Sequence, residues 1–166
     1  MLTVERLREV LSYDPETGVF TWLKTLAWRA PAGTIAGVIG GHTRRPYLCI
    51  GIDRKRYHAG PLAWFYVHGE WPKGLIDHCD GDPLNNRLAN LREASDSQNQ
   101  GNRRLNKNST SGFKGVYFDK SSGRWAANIL KDRQKFWLGC HDTPEQAHAA
   151  YCEAAQRIHG EFARLD

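Results

Sequence analysis

Apolar residues Val4, Leu7, Val10 and Leu11 recur at helical spacing behind Thr3, a favourable N-cap. They predict a first helix, stopped by the turn-forming run Asp14-Pro15-Glu16-Thr17-Gly18. The period then shortens. Runs at residues 19–23, 33–39, 47–52 and 54–58, separated by Gly, Pro and Arg, predict short strands. Residues 61–67 predict an aromatic-rich helix that ends near Gly69 and Pro72. Nothing in residues 1–74 demands chemistry, so this stretch reads as a β-rich scaffold whose arginines add phosphate contacts.

Residues 75–104 are denser. Leu75 and Ile76 predict a strand leading into adjacent Asp77 and His78. Neighbouring strand side chains point to opposite faces, so a bend must bring the pair to one centre. The polar run Asp80-Gly81-Asp82-Pro83 with Asn85-Asn86 supplies turn chemistry for it. Residues 90–94 predict a returning strand, and Ser95-Asp96-Ser97-Gln98 is a capping box opening a helix that carries Asn99 and Asn102. The Asp cluster does not fit a calcium loop, whose ligands alternate with glycine at the sixth position and glutamate at the twelfth.

Residues 105–112 are polar and read as a linker. Beyond them, 113–118, 124–130 and 135–140 predict three strands, and Thr143-Pro144-Glu145-Gln146 is a strong helix start. Ala147, Ala150, Tyr151, Ala154 and Ile158 share one face of that helix, and Gly160 suits its C-cap. Strand alternation sends Trp125, Ala127 and Ile129, with Phe136 and Leu138, toward the helix. It leaves Arg124, Asn128, Lys135 and Trp137 on the other face.

Composition narrows the function. With 40% hydrophobic residues and six tryptophans the chain can build real cores. Its four cysteines form no C-x-x-C pair, which argues against structural zinc and against a disulfide framework. The charged N-terminus and lack of a long apolar run predict a soluble, cytoplasmic protein with no membrane segment. Between Asn99 and Trp137 nine Lys or Arg, Lys107 among them, face two acids, while the whole chain is only +5. Such localised charge interleaved with aromatics predicts a polyanion partner.

The run D-H-C-D-G-D-x-x-N-N-R-x-x-N-L-R, followed by Q-N-x-x-N, resembles the HNH nuclease family, especially its phage and intron-type homing endonucleases. The segments L-S-Y-D-P-E-T-G-V-F-T-W and L-A-W-F-Y-V-H-G-E-W-P extend the resemblance over residues 1–104. The resemblance implies that His78 is the general base activating water, a role suited to imidazole near neutral pH. It implies that Asn90 holds the His78 ring by a side-chain hydrogen bond. It makes Asp77 and Asn99 the metal ligands, with Asn102 the rival of Asn99. Oxygen donors of this kind suit one Mg²⁺ or Mn²⁺ ion. Many relatives carry a second His where this chain has Asn99. Arg87 is a phosphate contact or a loop-shaping residue, alongside Asn85 and Asn86.

Lys114-Gly115-Val116-Tyr117, Trp125-Ala126-Ala127-Asn128-Ile129, Phe136-Trp137-Leu138-Gly139 and Thr143-Pro144-Glu145-Gln146-Ala147 resemble the ethylene-response-factor-type DNA-binding domain of plant transcription factors, also found in phage HNH nucleases. The resemblance implies that the sheet lies in the major groove. With the charge pattern, it makes Arg103, Arg104, Lys114, Tyr117, Arg124, Asn128, Lys135 and Trp137 the expected DNA contacts. Tyr117, Asp119 and Leu130 stand where that family usually has arginines, so base preference does not transfer.

The expected protein is α+β: a ββα-metal nuclease core with its N-terminal scaffold (residues 1–104), a linker (105–112) and a three-stranded antiparallel sheet packed on one helix (113–166). Its expected activity is metal-dependent hydrolysis of double-stranded DNA, as a monomer that nicks or a DNA-induced dimer that breaks both strands. The alternatives are a non-catalytic DNA-binding regulator and, behind it, a binder of structured RNA.

Overall fold

The computed structural model describes residues 1–42, 45–106 and 108–165, so Lys107 of the basic stretch lies outside the described residues. Among the described residues the fold is mixed α and β, built on four small sheets. Packing divides it into Met1–Glu93 and Ala94–Asp166.

The first unit opens with α1 (Val4–Val10), where the Thr3 side chain accepts from the backbone N–H of Arg6. The chain then passes straight into β1 (Leu11–Asp14). Sequence reading ran the helix on to the turn. Leu11 and Tyr13 are buried while Ser12 and Asp14 are not, which is the alternation of a strand. β1 pairs antiparallel with β2 (Val19–Trp22), Leu11 opposite Trp22 and Asp14 opposite Val19. The strand expected at 33–39 begins only at Val38. Ahead of it, Gly33 and Ala36 donate to the carbonyls of Trp22 and Phe20, so this stretch fastens to β2 as an isolated bridge.

β3 (Val38–His42), β4 (Arg45–Ile52) and β5 (Lys55–His58) form an antiparallel sheet in that order. Arg54, expected in the last strand, is instead a left-handed turn residue beside Asp53. α2 (Ala59–His68) follows. Leu7, Val10, Leu11, Phe20, Ile50 and Leu62 have no exposed surface and form the centre of this core. Finally β6 (Leu75–His78) pairs with β7 (Leu91–Ala94), which a single 3-10 turn (Leu88–Asn90) precedes.

The second unit contains α3 (Asp96–Gly101), whose capping box is fully formed by Ser95 and Gln98. β8 (Val116–Asp119), β9 (Arg124–Lys131) and β10 (Gln134–His141) make an antiparallel sheet with β9 central. α4 (Pro144–His159) starts at the Thr143 cap with Pro144 in its first turn, as the sequence predicted. Val116, Ala127 and Ile129 of the sheet, with Leu138, pack on Ala147, Tyr151, Ala154 and Ala155 of α4. Phe136 departs from the expected packing. It lies on the edge strand, ahead of a bulge between Trp137 and Cys140, and stays 42% exposed.

α3 is built into this unit by contact at Gly101. A Cβ there would stand 2.8 Å from Cγ of the buried His159 ring, too close for any other residue without a shift. The Gly101 carbonyl accepts from Lys114 Nζ (2.6 Å) and from the Arg164 N–H (3.2 Å). Burial holds the His159 imidazole below its ordinary pKa, against an opposing hydrogen bond with the backbone of Leu130.

Candidate active site and nucleic-acid interface

Asp77 and His78 are the last two residues of β6. Asp77 is 4% exposed and His78 is half-buried. From β7, Arg92 donates to Asp77 Oδ2 through Nε (3.0 Å) and Nη2 (2.9 Å). This pairing fixes the carboxylate plane at a site shielded from water. Arg92 was not singled out from sequence. The signal available was an arginine facing away from Leu91 on the strand that returns beside Asp77.

The His78 ring meets Asn86. Nε2 lies 3.2 Å from Asn86 Oδ1, and the Asn86 side chain is almost wholly buried. Asn86 Nδ2 donates to the Leu84 carbonyl (3.2 Å), which turns the carbonyl end of the amide toward the imidazole. Residues from the N-terminal hairpin hold this segment from behind. Tyr13 donates its hydroxyl to the Asn86 carbonyl (2.7 Å), and Leu88 donates its N–H to the Pro15 carbonyl (3.0 Å). Gly18, at φ +74°, approaches so closely that a Cβ would come within 2.5 Å of the Arg87 nitrogen. Burial, with the charge of Asp14, pushes the Tyr13 phenol up to about 12, so it stays a donor at any working pH. Gly60 of α2 completes the wall, 3.4 Å from His78 Cε1 measured from its would-be Cβ.

Among the described residues the expected bond from Asn90 to the His78 ring is not made. Among the described residues Asn90 binds the loop instead. Its Oδ1 accepts from the Asp80 N–H (3.0 Å), and its Nδ2 donates to Asp80 Oδ1 (3.0 Å) and the Asn85 carbonyl (2.8 Å). The reason is geometric: β7 begins just after Asn90, and the Cys79 N–H donates to the Asn90 carbonyl, which sets its side chain beside Asp80. Burial alone would raise the Asp80 carboxyl. The Asp82 N–H and the amides of Asn85 and Asn90 outweigh it and hold Asp80 below its usual range.

Asn99 is half-buried on α3, and Asn102, 7% exposed, is that helix's C-cap. Both therefore belong to the second unit. Among the described residues no group of three or more His, Cys, Asp or Glu is placed to hold a metal ion. The donor on offer in the first unit is the rigid, buried Asp77 carboxylate, whose chemistry fits a hard oxygen-seeking cation.

The outer face of the second unit's sheet carries Tyr117, Arg124, Asn128, Lys135 and Trp137. Trp137 is 59% exposed opposite Asn128, and Lys135 Nζ lies 5.2 Å from the centre of the Tyr117 ring. Arg124 pairs with Asp142 (2.9 Å) at the surface. Lys114 is placed elsewhere. It is half-buried, and its ammonium donates to the carbonyls of Gly101 and Arg164 (2.6 and 3.0 Å). An open cavity of about 430 Å³ is lined by Arg103, Arg104, Tyr117 and Asn128, with Lys114 at its wall. Arg87, in the first unit, is exposed.

The family model described as HNH endonuclease matches residues 57–100, and the AP2 domain model matches residues 111–161. The chain is 35% identical over 116 residues to Protein 3.8 of Escherichia phage T7, covering 67% of this chain and 95% of that protein. It belongs to the family of that phage protein. The chain thus joins an HNH endonuclease segment, which contains Asp77, His78, Asn86, Asn90 and Asn99, to an AP2 domain. It is also 34% identical over 98 residues to an uncharacterized HNH endonuclease of Acanthamoeba polyphaga mimivirus, covering 58% of this chain and 50% of that protein. An ethylene-responsive transcription factor of Medicago truncatula is 42% identical over 66 residues, covering 39% of this chain and 24% of that one. No solved structure matches. Among the described residues no helix is long and apolar enough to cross a membrane.

Proposed function

We propose that this protein is a DNA endonuclease that hydrolyses phosphodiester bonds with the help of one Mg²⁺ or Mn²⁺ ion, guided to double-stranded DNA by its C-terminal sheet. The observation that carries the reading is His78 beside a buried carboxylate at the end of β6, inside the segment matched by the HNH endonuclease model. His78 takes the proton of the attacking water. Asp77 holds the cation, with Asn99 as its second protein ligand and Asn102 as the alternative. When bound, the ion stabilises negative charge on the phosphate and on the leaving 3′ oxygen. Hydrolysis in that sense leaves a 5′ phosphate and a 3′ hydroxyl. The ββα-metal description of this region, and the division into residues 1–104 and 113–166, belong to the same proposal.

The exposed tryptophan, tyrosine and cations of the outer sheet face support its use as the DNA surface, and Arg103, Arg104 and Arg87 add phosphate contacts. Lys114 serves this surface by holding α3 and the C-terminal tail together. One such centre cuts one strand, so the monomer nicks and a DNA-induced dimer breaks the duplex. Supercoiled plasmid incubated with Mg²⁺, with EDTA, and with the His78→Ala protein tests the proposal. Metal-dependent relaxed or linear product, absent with EDTA and with the variant, is expected. Binding without cutting under every metal tried would leave a DNA-binding regulator.

A further inference from the structure

The strands of the second unit's sheet do not end together. β8 pairs only with Arg124–Ala127 of β9, which runs on to Lys131. The Asn128 N–H still reaches the Gly115 carbonyl (2.9 Å). Beyond that bond the edge of β9 faces residues 103–106 across the open cavity of about 430 Å³. Its size falls within the roughly 300–1,000 Å³ of small-molecule sites. No described residue on its wall is acidic, while Arg103, Arg104 and Lys114 are basic, and Leu105 and Ile129 are apolar. Three polar groups there are unspent. Among the described residues the Tyr151 hydroxyl and the Asn128 side-chain amide make no hydrogen bond, and the Arg103 guanidinium makes no ion pair. Tyr151 is 4% exposed. Burial, with Cys152 nearby, pushes its phenol up to about 12, so the hydroxyl donates as well as accepts at any working pH. A polar group this deep is normally bonded, and the cavity is where its partner can enter.

A nucleotide answers all of these features. A base is a flat apolar ring with donors and acceptors along its edge, and the Asn128 amide and Tyr151 hydroxyl each offer both. A phosphate matches the planar fork of Arg103. Tyr117 and Asn128 belong both to the cavity and to the outer sheet face, so the opening lies beside the proposed DNA surface. We infer that this cavity is a site for one unpaired nucleotide, with its base against Leu105 and Ile129 and its phosphate at Arg103. That chemistry has two sources, an extrahelical nucleotide of bound DNA and a free mononucleotide. The first source rests on the DNA-binding reading, whereas the cavity itself does not. Arg103 and Leu105 precede the AP2 match, which begins at residue 111, so the site belongs to this chain's arrangement and not to the AP2 domain alone.

The test measures binding of the full chain, without Mg²⁺, to one duplex in three forms: fully paired, with a single-nucleotide bulge, and with an abasic sugar in that bulge. The four deoxynucleoside monophosphates are titrated separately. The bulged duplex should bind about tenfold tighter than the paired one, since one base gains a surface to stack on. The abasic bulge interrupts the duplex at the same place but offers no base, and should bind like the paired duplex. Two variants, each checked for folding by circular dichroism, probe the wall. Tyr151→Phe removes only the hydroxyl and should cut the preference several-fold. Leu105→Trp fills the cavity and should abolish it, with affinity for the paired duplex unchanged. Mononucleotides that bind wild type but not Leu105→Trp would support the site and add the free ligand as an occupant. A folded Leu105→Trp protein that keeps the preference overturns the inference. So does equal affinity for all three duplexes with no mononucleotide bound, an outcome that leaves the DNA-binding reading intact. If mononucleotides bind while no duplex does, the DNA-binding reading falls and the site stands.

Discussion

Asn90 and Asp80 grip one another twice: the Asp80 N–H donates to Asn90 Oδ1, and Asn90 Nδ2 returns a bond to Asp80 Oδ1, each at 3.0 Å. This two-way clasp closes the loop between β6 and β7, and a third bond to the Asn85 carbonyl ties in the residue before Asn86. Asn90→Ala should cost about 1–3 kcal/mol in urea unfolding, because it strips partners from a half-buried loop. The contact of the His78 ring with Asn86 should survive it, seen as unshifted ¹⁵N signals of that ring. A shift of those signals in a folded Asn90→Ala protein would return Asn90 to the ring.

The Asp77–Arg92 pair makes the two residues unequal in mutation. Arg92→Ala should destabilise by about 3–5 kcal/mol, since it withdraws the cation from a carboxylate that stays buried. Asp77→Asn keeps an oxygen for Arg92 and should fold with a milder loss, yet cleave nothing at any Mg²⁺ concentration. Urea midpoints and plasmid cleavage of both variants check the contrast.

Gly18→Ala acts at a distance in sequence. The left-handed backbone disfavours alanine by about 1–2 kcal/mol, and contact with the Arg87 peptide adds to it. A fall in thermal midpoint with reduced turnover is expected. Full activity at unchanged stability would show that the hairpin does not press on the segment.

His159 gives the second unit a pH dependence of defined sign. Its folded pKa lies below the ordinary 6.5, so the unfolded chain binds the proton more readily. The stability this group contributes is complete above pH 6.5, declines as pH drops below it, and stops changing once the lowered folded value is passed. Urea midpoints of the full chain should therefore fall on acidification through that window. The slope should flatten in His159→Gln, which takes no proton.

On the DNA side, Trp137→Ala should weaken binding by roughly tenfold or more with little change in stability, because the ring is already exposed. Arg103→Gln and Arg104→Gln should weaken every duplex alike and reduce the salt slope by about one each if both reach phosphates. Titrations at several salt concentrations distinguish these two classes of contact.

The helix α4 was plain from sequence because Thr143, Pro144 and the alanine stripe all argue locally for one structure. The sheet's two faces followed from alternation in the same way, apart from Phe136 on its edge. β1 was missed because Leu11 continues the helical stripe as well as it begins a strand, and only pairing with Trp22 decides between them. The Asp-His pair was legible as a motif, but the identity of the ring's partner was not. Asn85, Asn86 and Asn90 are chemically alike, and burial behind Tyr13 selects among them through contacts 73 residues apart in the chain. Arg92 was hidden for the same reason, since its meaning arises only when β7 lies beside β6.

The packing of Gly101 against His159 bears on where this protein can be taken apart. The HNH match runs to residue 100, yet the chain's compact units divide after Glu93. A splice in the polar linker would amputate α3 from the ring and carbonyl bonds that seat it. A chimera joined at the Glu93–Ala94 peptide keeps the packing of α3 on its own unit but parts Asn99, the proposed second metal ligand, from Asp77 and His78, so it should bind DNA without cutting it.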